Sequence, residues 1–302
     1  MDLSVRITDA LRLKNPIMNA SGTFAYGEEF ASIIDLNTLG AIVTKGLSLK
    51  SKKGNPTPRV AETPCGMINA IGLENIGLEA FLTDKLPFLL QYDTPIIVNF
   101  FGNTEEEYTL MAAQLNVEGI AGLEMNVSCP NVKKGGIQFG RDPHTLFDLV
   151  HMVRRKTSKP LIVKLTPLVV DIAEMALAAQ EAGADALTCI NTIPAMVIDE
   201  ETWRPVLGNI TGGLSGPAIK PVALKIVWEV AKAVQIPVIA SGGICSYRDV
   251  IQFLLAGATA VAIGTESLVN PFCFPGIIAG IAEYMERHSL SKIVEIIGAL
   301  KK

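Results

Sequence analysis

The regular alternation of short aliphatic runs with amphipathic stretches is the feature that most constrains the fold of this chain. The runs predict eight strands, at 16–20, 41–44, 95–100, 122–126, 161–165, 186–190, 237–240 and 260–263. The stretches between them have helical spacing, at 104–115, 142–156, 170–182, 217–234 and 247–256. Strands that alternate with helices form parallel sheets, and eight such units favour closure into a (β/α)8 TIM barrel, an α/β fold. Since such a barrel takes roughly 250 residues plus insertions, we expect residues 1–302 to form a single domain.

Residue types at the predicted element boundaries agree with this division. Asp142 followed by Pro143 is typical of a helix start, because Asp caps the first turn and Pro suits the first helical position. Gly183 and Gly257 come just past helical patterns, where glycines commonly end helices.

Two long connections and the C-terminal segment complete the pattern. The connections, 45–77 and 191–216, are rich in Gly, Pro, Asn and Thr and follow the second and sixth predicted strands. Because loops after the strands build the active face of a barrel, we expect these extended loops to be functional. After the eighth strand we predict a last barrel helix near 275–286 and a tail helix near 291–301.

Composition contributes mainly by what it disfavours. Hydrophobic residues make up 49% of the chain and charged residues 19%, a balance that suits a sheet covered by helices. The net charge of −4 argues against nucleic acid as a partner. No uncharged apolar run reaches membrane-spanning length, and the first residues lack the apolar segment of a secretory signal. We therefore expect a soluble cytoplasmic protein with no membrane partner.

The cysteines are dispersed along the chain. They are Cys65, Cys129, Cys189, Cys245 and Cys273. None are spaced as in zinc or iron–sulfur motifs, so no metal site is expected, and their odd number fits reduced intracellular thiols. For four of them, the simplest interpretation is a small buried apolar residue.

Cys129 differs from the other four. It follows the fourth strand within NVSCPN, and the loop continues as KKGG at 133–136. A mobile loop of this composition is a poor place for a core cysteine, so a catalytic base or nucleophile and a structural residue both remain open. The histidines, His144, His151 and His288, fall in predicted helices rather than beside it, which disfavours a protease-type Cys–His pair.

Glycines follow the last two predicted strands. Gly242 and Gly243 come directly after the seventh strand, and Gly264 with Thr265 follows the eighth. In barrels the loops after these two strands commonly bind a phosphate through backbone N–H groups, which glycine lets approach the anion closely. We therefore predict a phosphorylated ligand, although each glycine pair alone is also consistent with a tight turn.

Amide and ammonium side chains lie at the ends of the first six predicted strands. They are Asn19, Lys45, Asn99, Asn126, Lys164 and Asn191. Any single Asn could be a turn or cap residue, but strand ends converge at the barrel mouth, and Lys164 interrupts the apolar run LIVKL. Because amides donate and accept on one rigid group, the set suits the imide edge of a flavin or a pyrimidine.

As a set, these motifs resemble the class 1 dihydroorotate dehydrogenases over nearly the whole chain. The segments that carry the resemblance are NASGTF at 19–24, TKG at 44–46, NAIGLEN at 69–75, VNFFG at 98–102, NVSCPN at 126–131, VKLTP at 163–167, CINT at 189–192, SGGI at 241–244 and IGT at 263–265. The resemblance implies a single FMN-binding barrel that oxidises dihydroorotate to orotate in pyrimidine biosynthesis.

The same resemblance implies a role for each matching residue. Cys129 is the base that removes the C5 proton of dihydroorotate, while the C6 hydride passes to N5 of FMN. Lys45 lies between flavin and substrate near the carboxylate, and Lys164 faces the flavin N1/O2 edge, where it stabilises the reduced ring. The implied substrate-binding residues are Lys45, Asn69, Ala70, Ile71, Gly72, Leu73, Asn126, Asn131, Asn191 and Thr192. The implied FMN-binding residues are Ser21, Lys45, Gly46, Asn99, Asn126, Lys164, Ile190, Gly216, Gly242, Gly243, Gly264 and Thr265, of which the last five hold the ribityl phosphate end.

Two segments also indicate a subclass. NVKKGG after the cysteine and GGLSGPAIKP at 212–221 resemble class 1B, the NAD-linked two-subunit branch. Class 2 enzymes, by contrast, use serine as the base and carry an N-terminal membrane helix. The class 1B resemblance implies an electron-transfer partner with FAD and a [2Fe–2S] cluster, and this chain as the central dimer of a 2+2 heterotetramer.

Four alternatives remain at this point. The first is the fumarate-linked class 1A branch, and the second is a flavin-free aldolase or isomerase that uses Lys164 as a Schiff-base lysine. The third is a module of the dihydropyrimidine dehydrogenase type, and the last is a barrel that only binds its ligand. A yellow protein whose spectrum responds to orotate would favour the dihydroorotate dehydrogenase interpretation.

Overall fold

A closed barrel of eight parallel strands forms the centre of the computed structural model, which describes residues 1–127 and 139–301. In chain order, all strands of the described residues are β1 Val5–Thr8, β2 Leu11–Leu13, β3 Ile17–Asn19, β4 Ile42–Val43, β5 Val60–Thr63, β6 Gly66–Asn69, β7 Ile96–Phe100, β8 Gly122–Asn126, β9 Leu161–Lys164, β10 Ala186–Cys189, β11 Ile193–Met196, β12 Ile198–Asp199, β13 Arg204–Pro205, β14 Thr211–Ser215, β15 Val238–Ser241 and β16 Ala260–Ile263.

The barrel sheet runs in the order β3-β16-β15-β10-β9-β8-β7-β4, so each of the eight predicted strands is confirmed. A parallel bridge between Met18 and Ala41 joins the two ends of this order. The Asn19 side chain strengthens the same seam, because its Nδ2 donates to the Val43 oxygen at 2.7 Å and its Oδ1 accepts from the Val43 N–H at 2.9 Å. Asn19 is thus a residue that closes the barrel, and its amide is not available to a ligand.

Helices follow the barrel strands as predicted. In chain order, the α-helices of the described residues are α1 Glu28–Ala31, α2 Leu78–Ala80, α3 Leu86–Leu89, α4 Glu105–Gln114, α5 Pro143–Arg154, α6 Ile172–Glu181, α7 Lys220–Ala233, α8 Tyr247–Leu255, α9 Thr265–Val269 and α10 Cys273–Arg287, with a π-helical turn, Phe81–Lys85, between α2 and α3. Asp142 caps α5 by accepting from the Thr145 N–H, and Pro143 is its first residue. Gly183 and Gly257 have φ of 102° and 112°, in the left-handed region that glycine tolerates at helix ends.

The predicted tail helix at 291–301 is wrong. The chain makes only a 3₁₀ turn, Ile293–Ile296, before Gly298 adopts a φ of 71°. The Gly298 N–H donates to the Leu254 oxygen of α8 at 2.9 Å, so tertiary contact replaces the helical bond. Local propensity favoured a helix, but docking against α8 determined the conformation.

The barrel interior carries a polar layer near the carboxyl ends of its strands. Asn99 is in register with Glu124, Asn126 with Lys164, and Lys164 with Thr188. Side chains in register share a face, and alternate residues along a strand share it too, so all of these point the same way. Asn99, Asn126 and Lys164 line the cavity at the mouth, which identifies that face as the interior.

A second, antiparallel sheet covers the mouth, and the sequence pattern did not predict it. The two long connections contribute its four strands in the order β11-β14-β6-β5. We call these strands the mouth sheet. A small separate apolar cluster supports it, formed by Ala61, Ile68, Ala70 and Leu207.

The opposite end of the barrel is closed by an N-terminal hairpin, β1 and β2, which was also not predicted. Its Leu11 is 1% exposed, and a Cβ added to Gly122 at the start of β8 would lie 3.4 Å from it. The interior is therefore open to a ligand from the mouth. Across the described ranges, no helix combines the length and apolarity needed to cross a membrane.

Candidate functional site

A cavity of about 360 Å³ lies at the carboxyl ends of the barrel strands, beneath the mouth sheet. This is the end at which barrel proteins place their active sites. The predicted site residues that line it are Ser21, Lys45, Gly46, Asn69, Ile71, Gly72, Leu73, Asn99, Asn126, Lys164, Ile190, Asn191, Thr192, Gly216, Gly242, Gly243, Gly264 and Thr265. Two others, Cys129 and Asn131, lie outside the described residues.

Ala70 is the predicted residue that the structure places elsewhere. It is 1% exposed and belongs to the apolar cluster under the mouth sheet. Its N–H donates to the Arg59 oxygen at 2.7 Å, so the backbone there is also occupied. The three residues that follow it, 71–73, do line the cavity.

Lys164 is a buried cation on the floor of the cavity. Only 6% of the residue is exposed, and its Nζ makes no hydrogen bond or ion pair with any other described residue. Burying an unpaired ammonium is costly, so the arrangement is suited to a ligand that brings negative charge or acceptor atoms to Lys164.

Asn99 and Glu124 form a hydrogen-bonded group beside Lys164. Asn99 Nδ2 donates to Glu124 Oε2 at 2.6 Å, and Thr188 Oγ1 donates to Glu124 Oε1 at 2.7 Å. Asn99 Oδ1 is buried without a partner among the described residues. Glu124 was not predicted as a site residue, although a carboxylate inside the strand GLEMN has the same signature as the lysine inside LIVKL.

Lys45 lies at the side of the cavity in a network with two charged residues that were not predicted. Its Nζ is 3.6 Å from Glu74 Oε2, which also accepts from Arg59 Nη1 at 2.9 Å. The Arg59 hydrogen bond, with the Lys45 charge nearby, holds the pKa of the Glu74 carboxyl below its usual value. Because Glu74 remains ionised, it holds Lys45 toward the mouth.

Three glycines with positive φ form a backbone cradle at the other side. Gly216, Gly242 and Gly243 have φ of 94°, 136° and 73°. A Cβ on Gly243 would lie 2.7 Å from Lys220 Cβ and 2.8 Å from the Gly216 oxygen, so the two loops approach as closely as glycine permits. Glycine is therefore needed at 243 for packing as well as for the approach of an anion.

Asp249 stabilises this cradle through two backbone hydrogen bonds and an ion pair. Its carboxylate accepts from the Cys245 and Ser246 N–H groups at 3.0 and 2.9 Å and pairs with Lys220 Nζ at 2.6 Å. Burial raises the pKa of Asp249, but the bonds from Lys220 and the backbone outweigh it, so the net pKa is lowered. The ion pair links the first turn of α8 to α7, and the bonds from Cys245 and Ser246 attach the loop after β15 to the same carboxylate, so the spacing of the cradle is fixed.

The mouth sheet supplies polar groups that are already engaged. Asn69 Nδ2 donates to the Gly213 oxygen at 3.3 Å, and Asn191 Oδ1 accepts from the Thr192 N–H at 2.8 Å. A Cβ on Gly213 would lie only 2.0 Å from Thr192 Oγ1, so this glycine makes room for the threonine. The side chains at the mouth are thus held in place by the sheet.

Two groups of exposed apolar side chains lie on loops and short elements that follow the barrel strands. One group, which we call the apolar rim, follows strands β9 and β16 and consists of Val170, Leu268, Val269 and Phe272. A second group, the hairpin patch, lies on the connection between β11 and β14 and consists of Met196, Ile198, Trp203 and Ile210. Trp203 is 88% exposed and Phe272 is 65% exposed, so each of the two groups contains a large aromatic side chain open to solvent.

In the described part of the chain, no three His, Cys, Asp or Glu side chains group as a metal site would require.

Comparisons with known proteins agree with this geometry. A family model described as Dihydroorotate dehydrogenase matches residues 3–285. A protein of Geotalea daltonii named "Dihydroorotate dehydrogenase B (NAD(+)), catalytic subunit" is 56% identical over 99% of this chain and 98% of its own length. A protein of Thermoanaerobacter sp. with the same name is 54% identical over 100% and 99%.

A solved structure supports the fold independently. It is a dihydroorotate dehydrogenase from Eimeria tenella in complex with ferulenol, which superposes with a TM-score of 0.82 at 23% identity over 99% of this chain and 88% of that one. At that identity it speaks for the (β/α)8 barrel alone. Because the family model and the full-length relatives both cover almost every residue, this chain belongs to the dihydroorotate dehydrogenase family.

Proposed function

We propose that this chain oxidises dihydroorotate to orotate in pyrimidine biosynthesis, with FMN as its bound cofactor and NAD⁺ as the final electron acceptor. The observation that carries the proposal is the unpaired, buried Lys164 beside the unpartnered Asn99 Oδ1, in a chain whose full-length relatives carry that enzyme's name. The names also specify NAD(+), which favours class 1B over the fumarate-linked branch. Family membership disfavours a Schiff-base aldolase and a barrel that only binds its ligand.

The cavity residues fit FMN. The glycine cradle at 216, 242 and 243 offers backbone N–H groups to a phosphate, and Thr265 lies beside it. Lys164 would stabilise negative charge at the cofactor's pyrimidine edge, and Ser21, Gly46 and Ile190 would line the ring. Bound FMN would supply the hydride acceptor for C6 of the substrate.

The substrate would lie above the flavin, toward the mouth sheet. Asn69, Asn126, Asn191 and Thr192 would hydrogen-bond its ring, with Asn131 as a further contact, and Lys45 would bind its carboxylate. Cys129 as a thiolate would take the C5 proton, and bound FMN would supply the acceptor for the C6 hydride, so the substrate would gain the C5–C6 double bond of orotate. The roles of Cys129 and Asn131 rest on the family resemblance.

Electrons would leave through a second subunit that carries FAD and a [2Fe–2S] cluster, in a 2+2 heterotetramer with this chain as the central dimer. The relatives' designation as catalytic subunits supports a separate partner. We assign the apolar rim to that partner, because its Leu268 lines the cavity and the other three residues are exposed. We place the assembly in the cytoplasm, where the four free thiols of the described residues would stay reduced.

An absorbance spectrum with and without orotate tests the core of the proposal. The purified chain should be yellow, release one FMN on denaturation and show a spectral shift when orotate binds. It should reduce an artificial dye with dihydroorotate, yet reduce NAD⁺ only after the partner is added. FAD or no flavin in the purified chain would overturn the cofactor assignment, and strong fumarate reduction would move the chain to class 1A.

Cys129→Ala tests the assigned base. We expect dihydroorotate oxidation to fall by about 10²- to 10⁴-fold, the contribution of a positioned base, with FMN still bound. Cys129→Ser should be impaired at neutral pH and recover partly as pH rises, because a hydroxyl is a much weaker acid than a thiol. Single-turnover flavin reduction near the wild-type rate in Cys129→Ala would place the base elsewhere.

A further inference from the structure

Glu124 is a buried carboxylate inside the barrel that none of the roles above uses. It is 3% exposed, and the Asn99 amide and the Thr188 hydroxyl donate one hydrogen bond to each of its oxygens. Such charge-assisted bonds are stronger than neutral ones. Glu124 does not line the cavity, whereas Asn99 does, so any effect on a ligand must pass through Asn99.

The Glu124 carboxylate determines which end of the Asn99 amide faces the cavity. An amide has one donating and one accepting end, and a carboxylate only accepts. Turning the amide over would bring Asn99 Oδ1 to within 2.6 Å of Glu124 Oε2, with two acceptors in contact. Asn99 Nδ2 is therefore held against Glu124, and Asn99 Oδ1 faces the cavity.

Two further observations indicate that Asn99 Oδ1 is placed to accept a hydrogen bond from a ligand. Asn99 Oδ1 is one of two buried side-chain polar atoms that lack a partner in the described residues, and the other belongs to Thr8 of the N-terminal hairpin. A Cβ on Gly46, which also lines the cavity, would lie 2.8 Å from the same oxygen. Glycine at this position thus leaves the oxygen accessible, where any side chain would crowd it.

We infer that Glu124 is a positioning residue that fixes Asn99 as a hydrogen-bond acceptor and thereby selects a cofactor edge that carries an N–H group. The inference rests on the proposed FMN cofactor. Oxidised flavin has a single ring N–H, at N3. Asn99 is 1% exposed, deeper than the half-buried Asn69 and Asn191 of the mouth, so its partner is the deeper ligand, the flavin.

The test compares FMN with 3-methyl-FMN, in which a methyl group replaces the N3 proton. Apoprotein is titrated with each flavin, and the ratio of the two dissociation constants is the readout. The wild type should bind 3-methyl-FMN about 10- to 100-fold more weakly, because the acceptor loses its donor and meets a methyl group. This measurement needs no variant and so does not depend on the folding of one.

Glu124→Leu should abolish that selectivity. Leucine removes the acceptor that holds Asn99 Nδ2 away from the cavity, whereas a glutamine could keep that bond by turning its own amide over and donating to the Thr188 hydroxyl, which can also accept. We expect FMN binding to weaken by about 10- to 100-fold and the ratio to fall toward one. Thr44→Val is the matched control, because Thr44 Oγ1 accepts from the Asn99 backbone N–H at 3.2 Å without touching the amide. It should keep the wild-type ratio.

The outcomes separate this inference from the proposed function. Equal affinity of the wild type for both flavins overturns the inference while the FMN assignment stands, and so does an unchanged ratio in Glu124→Leu. If the wild-type apoprotein binds neither flavin, the cofactor assignment fails and this inference fails with it. A purely structural role for Glu124 would lower the melting temperature without moving the ratio.

Discussion

The barrel floor and the mouth sheet enclose the same cavity but are built in opposite ways. Every residue of β9 is buried, and it ends in a lysine with no partner in the described chain. The strands of the mouth sheet are mostly half-exposed, and the polar groups there and at the side of the cavity, such as Asn69 and Lys45, already have protein partners. A rigid floor with an unpaired charged side chain suits a cofactor that remains bound through many turnovers. A partly exposed cover whose polar groups already have protein partners suits a substrate that must enter and leave.

The two lysines of the cavity give the largest expected contrast. Lys164→Ala removes an unpaired cation from the floor, and we expect dihydroorotate oxidation to slow by about 10²- to 10³-fold, with a lower flavin potential. Lys45→Ala removes a cation that is shared with Glu74 and partly open to water, so about a tenfold loss is expected. Stopped-flow reduction and potentiometry of both variants measure the difference.

One pattern of results would contradict the expected difference between the two lysines. If Lys164→Ala kept the wild-type potential while Lys45→Ala shifted it, the charge that matters to the flavin would lie at the mouth. Lys164→Arg is a useful companion variant, since it keeps the charge in a larger side chain and should retain more of the potential than Lys164→Ala.

The cradle glycines belong to the rigid floor and should tolerate little change. Gly243→Ala forces a side chain into a positive φ and against Lys220 and Gly216, so the two loops must separate. We expect FMN to bind about 100-fold more weakly, on the order of 3 kcal/mol, since strained φ and close contact both contribute.

Gly276→Ala is the matched control for that substitution. Gly276 lies within α10, has no neighbouring heavy atom within 4 Å of an added Cβ and should gain helix propensity. Fluorescence titration of apoprotein with FMN compares the two. Equal FMN affinities for Gly243→Ala and Gly276→Ala would show that the cradle is not where the phosphate binds.

The same contrast explains what the sequence could predict. The barrel strands are buried on both faces, so each is an aliphatic run that is visible without any partner. The mouth sheet was missed because β14, TGGLS, is short, glycine-rich and partly exposed, and it pairs with β6 from the other long connection. Lys164 was found because a charge interrupts an apolar run, whereas Glu74 gave no such pattern, because only the fold brings it to Lys45 and Arg59.

At the mouth, a small change should affect the substrate and leave the cofactor alone. Gly213→Ala places a Cβ 2.0 Å from Thr192 Oγ1, which must then move from its place at the cavity wall. We expect the KM for dihydroorotate to rise about tenfold, as loss of one hydrogen bond would produce, with FMN affinity unchanged. In a Thr192→Ala background the Gly213 substitution should cost little more, because the clash is gone. Full additivity of the two changes would place the effect in the sheet itself.

The smallest expected effect is on thiol chemistry, which compares the mobility of the two regions directly. Cys65, in the turn between β5 and β6 of the mouth sheet, is exposed, whereas Cys189 on β10 is fully buried. Burial raises the pKa of Cys189 to about 12. Burial, with the Glu266 carboxylate nearby, likewise raises the pKa of Cys245 and of Cys273 to about 12.

In a Cys129→Ala background, iodoacetamide at pH 8 should therefore modify Cys65 alone, without loss of FMN. The free energy of unfolding should depend on pH with a definite sign, because the folded protein holds the thiol protons of Cys189, Cys245 and Cys273 more tightly than the unfolded chain does. Their contribution to stability is fully present below pH 9.0, the ordinary thiol value, and is lost as pH rises toward 12. Mass spectrometry after timed labelling reads each site. If Cys189 reacted at pH 8 as fast as Cys65, the barrel would open as readily as its cover, and the division between a rigid floor and an adaptable mouth would not hold.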